Sequence, residues 1–162
     1  MAISNVEIID FVGTPTVIVK RDDLPLDDLV EFMDESFTAL GRAVEDGKFV
    51  PAGPGFSRYN SEFSTTVSLE VGFPVEVAFD EFLKVGDVTI FGSELPTGRT
   101  AITTYRGGYD GLSGAWSDFV DAVIERGYGV GSPTWESYDV APLPGVQESD
   151  LVTGLAAPVL RS

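Results

Sequence analysis

The chain has 162 residues, a length that fits one domain or two intimately packed halves of about 75 residues each. Its 43% hydrophobic and 22% charged content is that of a globular chain. The absence of Cys and His excludes disulfides, thiol chemistry, Ser-His-Asp or Cys-His catalysis and His-based metal sites. Ten Lys and Arg against 26 Asp and Glu leave a net charge of −16, which repels phosphate backbones and anionic headgroups, so neither direct nucleic-acid binding nor membrane association is expected. No apolar run reaches a membrane span and no signal-peptide pattern opens the chain, so the cytoplasm is the simplest location.

In chain order, residues 6–10 (VEIID) and 16–20 (TVIVK) alternate like strands. A helix follows, with Leu29, Met33, Phe37, Leu40 and Val44 on one stripe, Asp27 and Asp28 at its entrance and Gly47 as its stop. A Gly-Pro-Gly turn then leads to a strand ending at Tyr59, and residues 67–75 (VSLEVGFPV) form the next one. Residues 76–86 read as a connector, after which the pattern repeats. Residues 88–92 (VTIFG) and 99–104 (RTAITT) are strands. Leu112, Trp116, Phe119 or Val120, and Val123 line a helix with Asp110 as candidate N-cap and Gly127 as stop. Residues 132–138 end in Tyr138, and residues 151–159 (LVTGLAAPV) close the second half.

This order, β-β-α-β-β twice over about 3–75 and 87–160, predicts a single α+β domain built from a duplicated module with pseudo-two-fold symmetry. An antiparallel sheet would carry the helices on one face, and the opposite sheet faces would meet in a central ligand groove.

Five strings carry a family resemblance: PAGPGFSRY at 51–59, EVGFPV at 70–75, LPTGR at 95–99, GYDGL at 108–112 with Ala115 and Trp116, and PTWESY at 133–138. In that order they resemble the GyrI-like domain, the effector-binding part of several AraC- and MerR-type regulators. The resemblance runs from about residue 3 to the C-terminus. It implies a central pocket lined by aromatics around a buried Glu, here Glu136, that accepts bulky hydrophobic cations. In the regulators a helix-turn-helix precedes this domain. Here the first strand begins within about five residues of Met1, so a stand-alone form is expected. Tyr105 stands where many relatives carry His.

Strand alternation places Glu136 and Tyr138 on one face and Trp135 and Ser137 on the other. In the first half Tyr59 takes the position of Tyr138, and Ser57 that of Glu136. Glu70 shares a face with Gly72, opposite a core side of Leu69, Val71 and Phe73. A carboxylate among aromatic rings is costly to keep charged, and a cationic ligand offsets that cost while tyrosine faces add cation–π attraction. The candidate ligand-binding residues are therefore Glu136, Tyr138, Tyr59, Tyr105, Tyr109, Trp116 and Glu70. Each has an ordinary alternative: Glu136 could pair with Arg58 or Arg99, Trp116 could be core, and Tyr105 and Tyr109 could pack the Gly107-Gly108 turn.

Two motifs are set aside. Residues 127–131 (GYGVG) follow a helix and precede no Lys, unlike a phosphate-binding loop. The paired aspartates at 22–23 and 27–28 lack the spacing of a calcium loop. No cofactor or metal is expected. The first functional reading is a binding module for hydrophobic, cationic small molecules. The second is a hydrolase of cyclopropane-bearing or related reactive natural products, an activity the resemblance also implies, in which Glu136 activates water and Tyr105 or Tyr109 polarises the carbonyl or supplies a proton. The third is a protein partner, engaged by an acidic surface that mimics DNA.

Overall fold

The computed structural model describes residues 3–161. The architecture is α+β. In chain order it comprises β1 (Glu7–Phe11), β2 (Thr14–Pro25), α1 (Leu29–Glu45), β3 (Phe56–Tyr59), β4 (Thr66–Pro74) and β5 (Phe82–Val85). Then follow β6 (Val88–Leu95), β7 (Gly98–Arg106), α2 (Leu112–Glu125), β8 (Tyr128–Val130), β9 (Thr134–Val140) and β10 (Val152–Arg161). The chain divides into a middle unit, Val12–Thr97, and a terminal unit made of the chain up to Phe11 and the chain from Gly98 onward.

In the middle unit the strands run antiparallel in the order β3-β4-β2-β6-β5. Val17, Val19, Val67, Leu69, Val71 and Ile90 alternate onto one face, and α1 covers them. The helix buries Phe32, Ser36, Ala39, Leu40 and Ala43. Most of the expected stripe, Leu29, Met33, Phe37 and Val44, flanks this row and is only partly buried. Small Ala39 and Ala43 let the helix lie close to the sheet, which draws the inner row towards them. Burying each aliphatic side chain contributes about 1.5–3 kcal/mol, so this two-layer core carries most of the unit's stability. On the opposite face Ile18, Phe56, Thr16 and Glu70 are also buried. Gly72 is required there, because a Cβ would lie 2.0 Å from the Val17 carbonyl oxygen.

The terminal unit has the antiparallel order β1-β7-β10-β9, with β8 pairing the end of β10. Here α2 buries Ala115, Phe119 and Val123 against Ala101, Tyr105, Leu155 and Ala157.

Several expectations change. Residues 76–86 contain β5, which forms a hairpin with β6. Residues 127–131 contain β8, a strand that no alternation signal marked. Asp110 makes no cap. Each helix enters through a 3-10 turn, Leu26–Asp28 or Tyr109–Gly111, and neither turn nor helix has a side-chain cap hydrogen bond. Gly47 (φ 73°) and Gly127 (φ 89°) do stop the helices in the left-handed conformation. The first strand of each sequence half pairs outside its own half: β1 with β7, and β6 with β2. The compact units therefore cut across the halves 3–75 and 87–160.

Candidate functional site

In the terminal unit, β9 places Glu136 opposite Leu155 and Tyr138 opposite Thr153 on β10. Directly paired residues of antiparallel strands point to the same face. Leu155 belongs to the core under α2, and Thr153 also pairs with Tyr105 of that core. Glu136 and Tyr138 consequently face α2, on the helix-covered side and not on the opposite face where the groove was expected. Trp135 turns away and meets Phe11 at a ring distance of 5.5 Å.

Glu136 is 3% exposed. The Trp116 indole N–H on α2 donates to Oε1 at 2.9 Å, and the Tyr138 hydroxyl donates to Oε2 at 2.9 Å. Trp116 also packs edge-on to Phe119 at 5.6 Å, so it serves the core and the carboxylate together. Tyr109 meets Tyr138 edge-on at 6.0 Å. It is 41% exposed and forms the solvent side of the cluster. Burial raises the Tyr109 phenol above its ordinary 10.0, and the negative charge of Glu136 raises it further. The phenol therefore stays protonated at neutral pH.

Tyr105 is buried, and its hydroxyl donates to the Gly108 carbonyl at 2.7 Å. Gly111 leaves room for that hydroxyl, since a Cβ there would lie 2.3 Å from it. Tyr105 thus braces the turn that carries Tyr109. The structure brings together Glu136, Tyr138, Trp116 and Tyr109, with Tyr105 behind them.

Tyr59 and Glu70 lie in the middle unit. Tyr59 belongs to the core under α1 and packs against Phe63 at 4.9 Å. Glu70 faces away from α1, accepts a hydrogen bond from Asn60 Nδ2 at 3.0 Å, and lies 3.7 Å from Arg58 Nε. Arg58 also donates to Asn60 Oδ1 at 2.9 Å and to the Glu94 carbonyl. Arg99 lies 3.9 Å from Asp10. The arginines considered for Glu136 therefore pair with Glu70 and Asp10. Asn60 was missed by the sequence reading. A half-buried amide between Arg and Glu has no periodic signature, and only the turn after β3 brings it to Glu70.

The terminal-unit cluster is a buried carboxylate held by the Trp116 and Tyr138 donors and walled by aromatic rings, and the chain has a GyrI-like fold. No protein-family model and no curated protein sequence matches it. Among solved structures, the EcmrR C-terminal domain is similar at TM-score 0.74 and 14% identity, with 98% of each chain covered. EcmrR in its complex with DNA gives 0.75 at 15% identity, where the match covers 100% of this chain and 59% of that one. SAV2435 bound to tetraphenylphosphonium gives 0.63 at 9% identity, covering 96% and 94%. A hydrolase from Listeria innocua gives 0.61 at 11% identity, covering 96% and 91%. The likeness at these identities is one of fold. No helix among the described residues is long and apolar enough to cross a membrane.

Proposed function

We propose that this protein binds hydrophobic, cationic small molecules at Glu136, with Trp116, Tyr138 and Tyr109 as the aromatic walls. The observation that carries this reading is the buried Glu136 carboxylate, held in place by the Trp116 and Tyr138 donors. Its negative charge is one cause of the raised Tyr109 pKa, and a cation beside that ring would be attracted by the same charge. Each aromatic face adds cation–π attraction of about 0.5–2 kcal/mol, more as water is excluded. The net charge of −16 concentrates cations around the protein and opposes direct contact with nucleic acid. The tetraphenylphosphonium bound by SAV2435, a neighbour in fold, is the ligand chemistry such a site suits.

One observation favours a second reading, hydrolysis. Tyr109 is a phenol kept protonated beside Glu136, which makes an acid and a carboxylate base within one cluster. Glu136 would take a proton from the attacking water while Tyr109 donates one to the leaving group. Tyr105 is spent on the Gly108 carbonyl, so in this reading it positions Tyr109. The Listeria innocua hydrolase of similar fold lends this reading its reaction class.

The test is a thermal-shift screen of tetraphenylphosphonium and neutral polycyclic compounds on wild type and Glu136→Gln. A ligand at about 100 times its Kd stabilises by about 2.7 kcal/mol, roughly 5–10 °C for a chain of this size. Cation-selective shifts that disappear in Glu136→Gln support the binding reading, and a hydrated product by mass spectrometry moves it to hydrolysis. Identical shifts in both proteins refute the role of Glu136.

A further inference from the structure

The middle unit contains a second buried carboxylate that the Glu136 site does not use. Glu70 sits on β4, 5% exposed, on the face away from α1. Its Oε2 accepts a hydrogen bond from Asn60 Nδ2 at 3.0 Å and lies at ion-pair distance, 3.7 Å, from Arg58 Nε. Its Oε1 is fully buried and meets no donor. Leaving a buried carboxylate oxygen without a donor costs free energy, so a group that brings an N–H to it recovers that energy.

The register shows how the site is built. Glu70 lies directly between Arg58 on β3 and Lys20 on β2. Two cations flank one carboxylate in a chain that has only ten in total. An ordinary ion pair with Arg58 accounts for Oε2 alone. Arg58 has other partners as well, since its guanidinium donates to Asn60 Oδ1 and to the Glu94 carbonyl. Lys20 is exposed and makes no ion pair among the described residues. The Arg58 side chain is 20% exposed against 7% for Glu70, so it forms the entrance to the carboxylate.

From this geometry we infer that Glu70 Oε1 is a second ligand-binding point, specific for a small cation that carries N–H donors, such as an amidinium or a primary ammonium. This acceptor calls for an N–H or O–H donor, which a tetraphenyl-substituted cation does not have. The two carboxylates therefore divide cations by chemistry: Glu136 with its rings takes a bulky delocalised charge, and Glu70 takes a hydrogen-bonding one. Arg58 is the resident competitor, and its positive charge holds the affinity of this second point down.

Isothermal titration of benzamidinium and of tetraphenylphosphonium, each against wild type, Glu70→Gln, Glu136→Gln, Arg58→Gln and Lys20→Met, tests this. The Gln at position 70 still accepts from Asn60, and urea unfolding verifies that each variant is folded. Benzamidinium affinity should fall about tenfold in Glu70→Gln and rise severalfold in Arg58→Gln. Tetraphenylphosphonium should respond only to Glu136→Gln, so a failure of the Glu136 reading appears in that arm alone. Should Glu70→Gln fail to fold, the rise in Arg58→Gln decides the matter. Saturable benzamidinium binding that ignores both Glu70 and Arg58 overturns the inference. So does its absence from wild type, or its appearance only in Lys20→Met, which would make Lys20 the donor to Oε1 in solution.

Discussion

Replacing Trp116 by Phe removes the indole N–H that reaches Glu136 Oε1 at 2.9 Å while keeping an aromatic ring against Phe119. A hydrogen bond to a charged acceptor is worth about 1.5–3 kcal/mol, and one to a neutral acceptor about 0.5–1.5 kcal/mol. Glu136 is 3% exposed, so little solvent screening reduces the first figure. In a Glu136→Gln background the amide oxygen can still accept, so the Trp116→Phe cost should fall to the neutral value. The packing lost with the smaller ring is common to both backgrounds and cancels in a double-mutant cycle. The coupling energy should therefore be about 1–1.5 kcal/mol, seen in urea as a midpoint difference of roughly 0.5–1 M between the two Trp116→Phe steps. Equal costs in both backgrounds, within about 0.3 kcal/mol, would mean that Trp116 is core alone and that Glu136 is held by other groups.

The Tyr109 phenol should titrate above 10.0 by NMR of labelled tyrosine. Glu136→Gln should lower it without restoring the ordinary value, because burial, the larger cause, remains. A folded-state pKa raised above the unfolded one contributes stability that is complete below about pH 10 and is lost as pH rises through the folded pKa. Tyr109→Phe should accordingly unfold less steeply than wild type in that alkaline window. Gly111→Ala should destabilise by about 1–3 kcal/mol, since its Cβ would meet the Tyr105 hydroxyl at 2.3 Å. Tyr105→Phe in the same chain should recover part of that loss in thermal unfolding, and no recovery would mean that the turn backbone is the source of strain.

Helix stripes, glycine stops and strand alternation were legible because each is a local property of period 3.6 or 2. They located both helices and eight of the strands, and they placed Glu136 with Tyr138 and Glu70 with Gly72. The segments β5 and β8 were not legible: they are short, and their strand character comes from pairing with β6 and β10. Likewise, alternation says which residues share a face but not which neighbour or helix that face meets. Only the pairing of β9 with β10 turned Glu136 toward α2 and put it within reach of the Trp116 N–H. Pocket lining and packing of the Gly107-Gly108 turn are both open for Tyr105 by residue type, and the return of the chain through that turn gives its hydroxyl the Gly108 carbonyl at 2.7 Å. Composition alone determined that any catalysis here runs on carboxylates, tyrosines, Ser/Thr or water, since the chain holds no His and no Cys. Which carboxylate has its donors and which lacks one was decided by tertiary structure, because a buried oxygen is satisfied only by groups that long-range packing delivers.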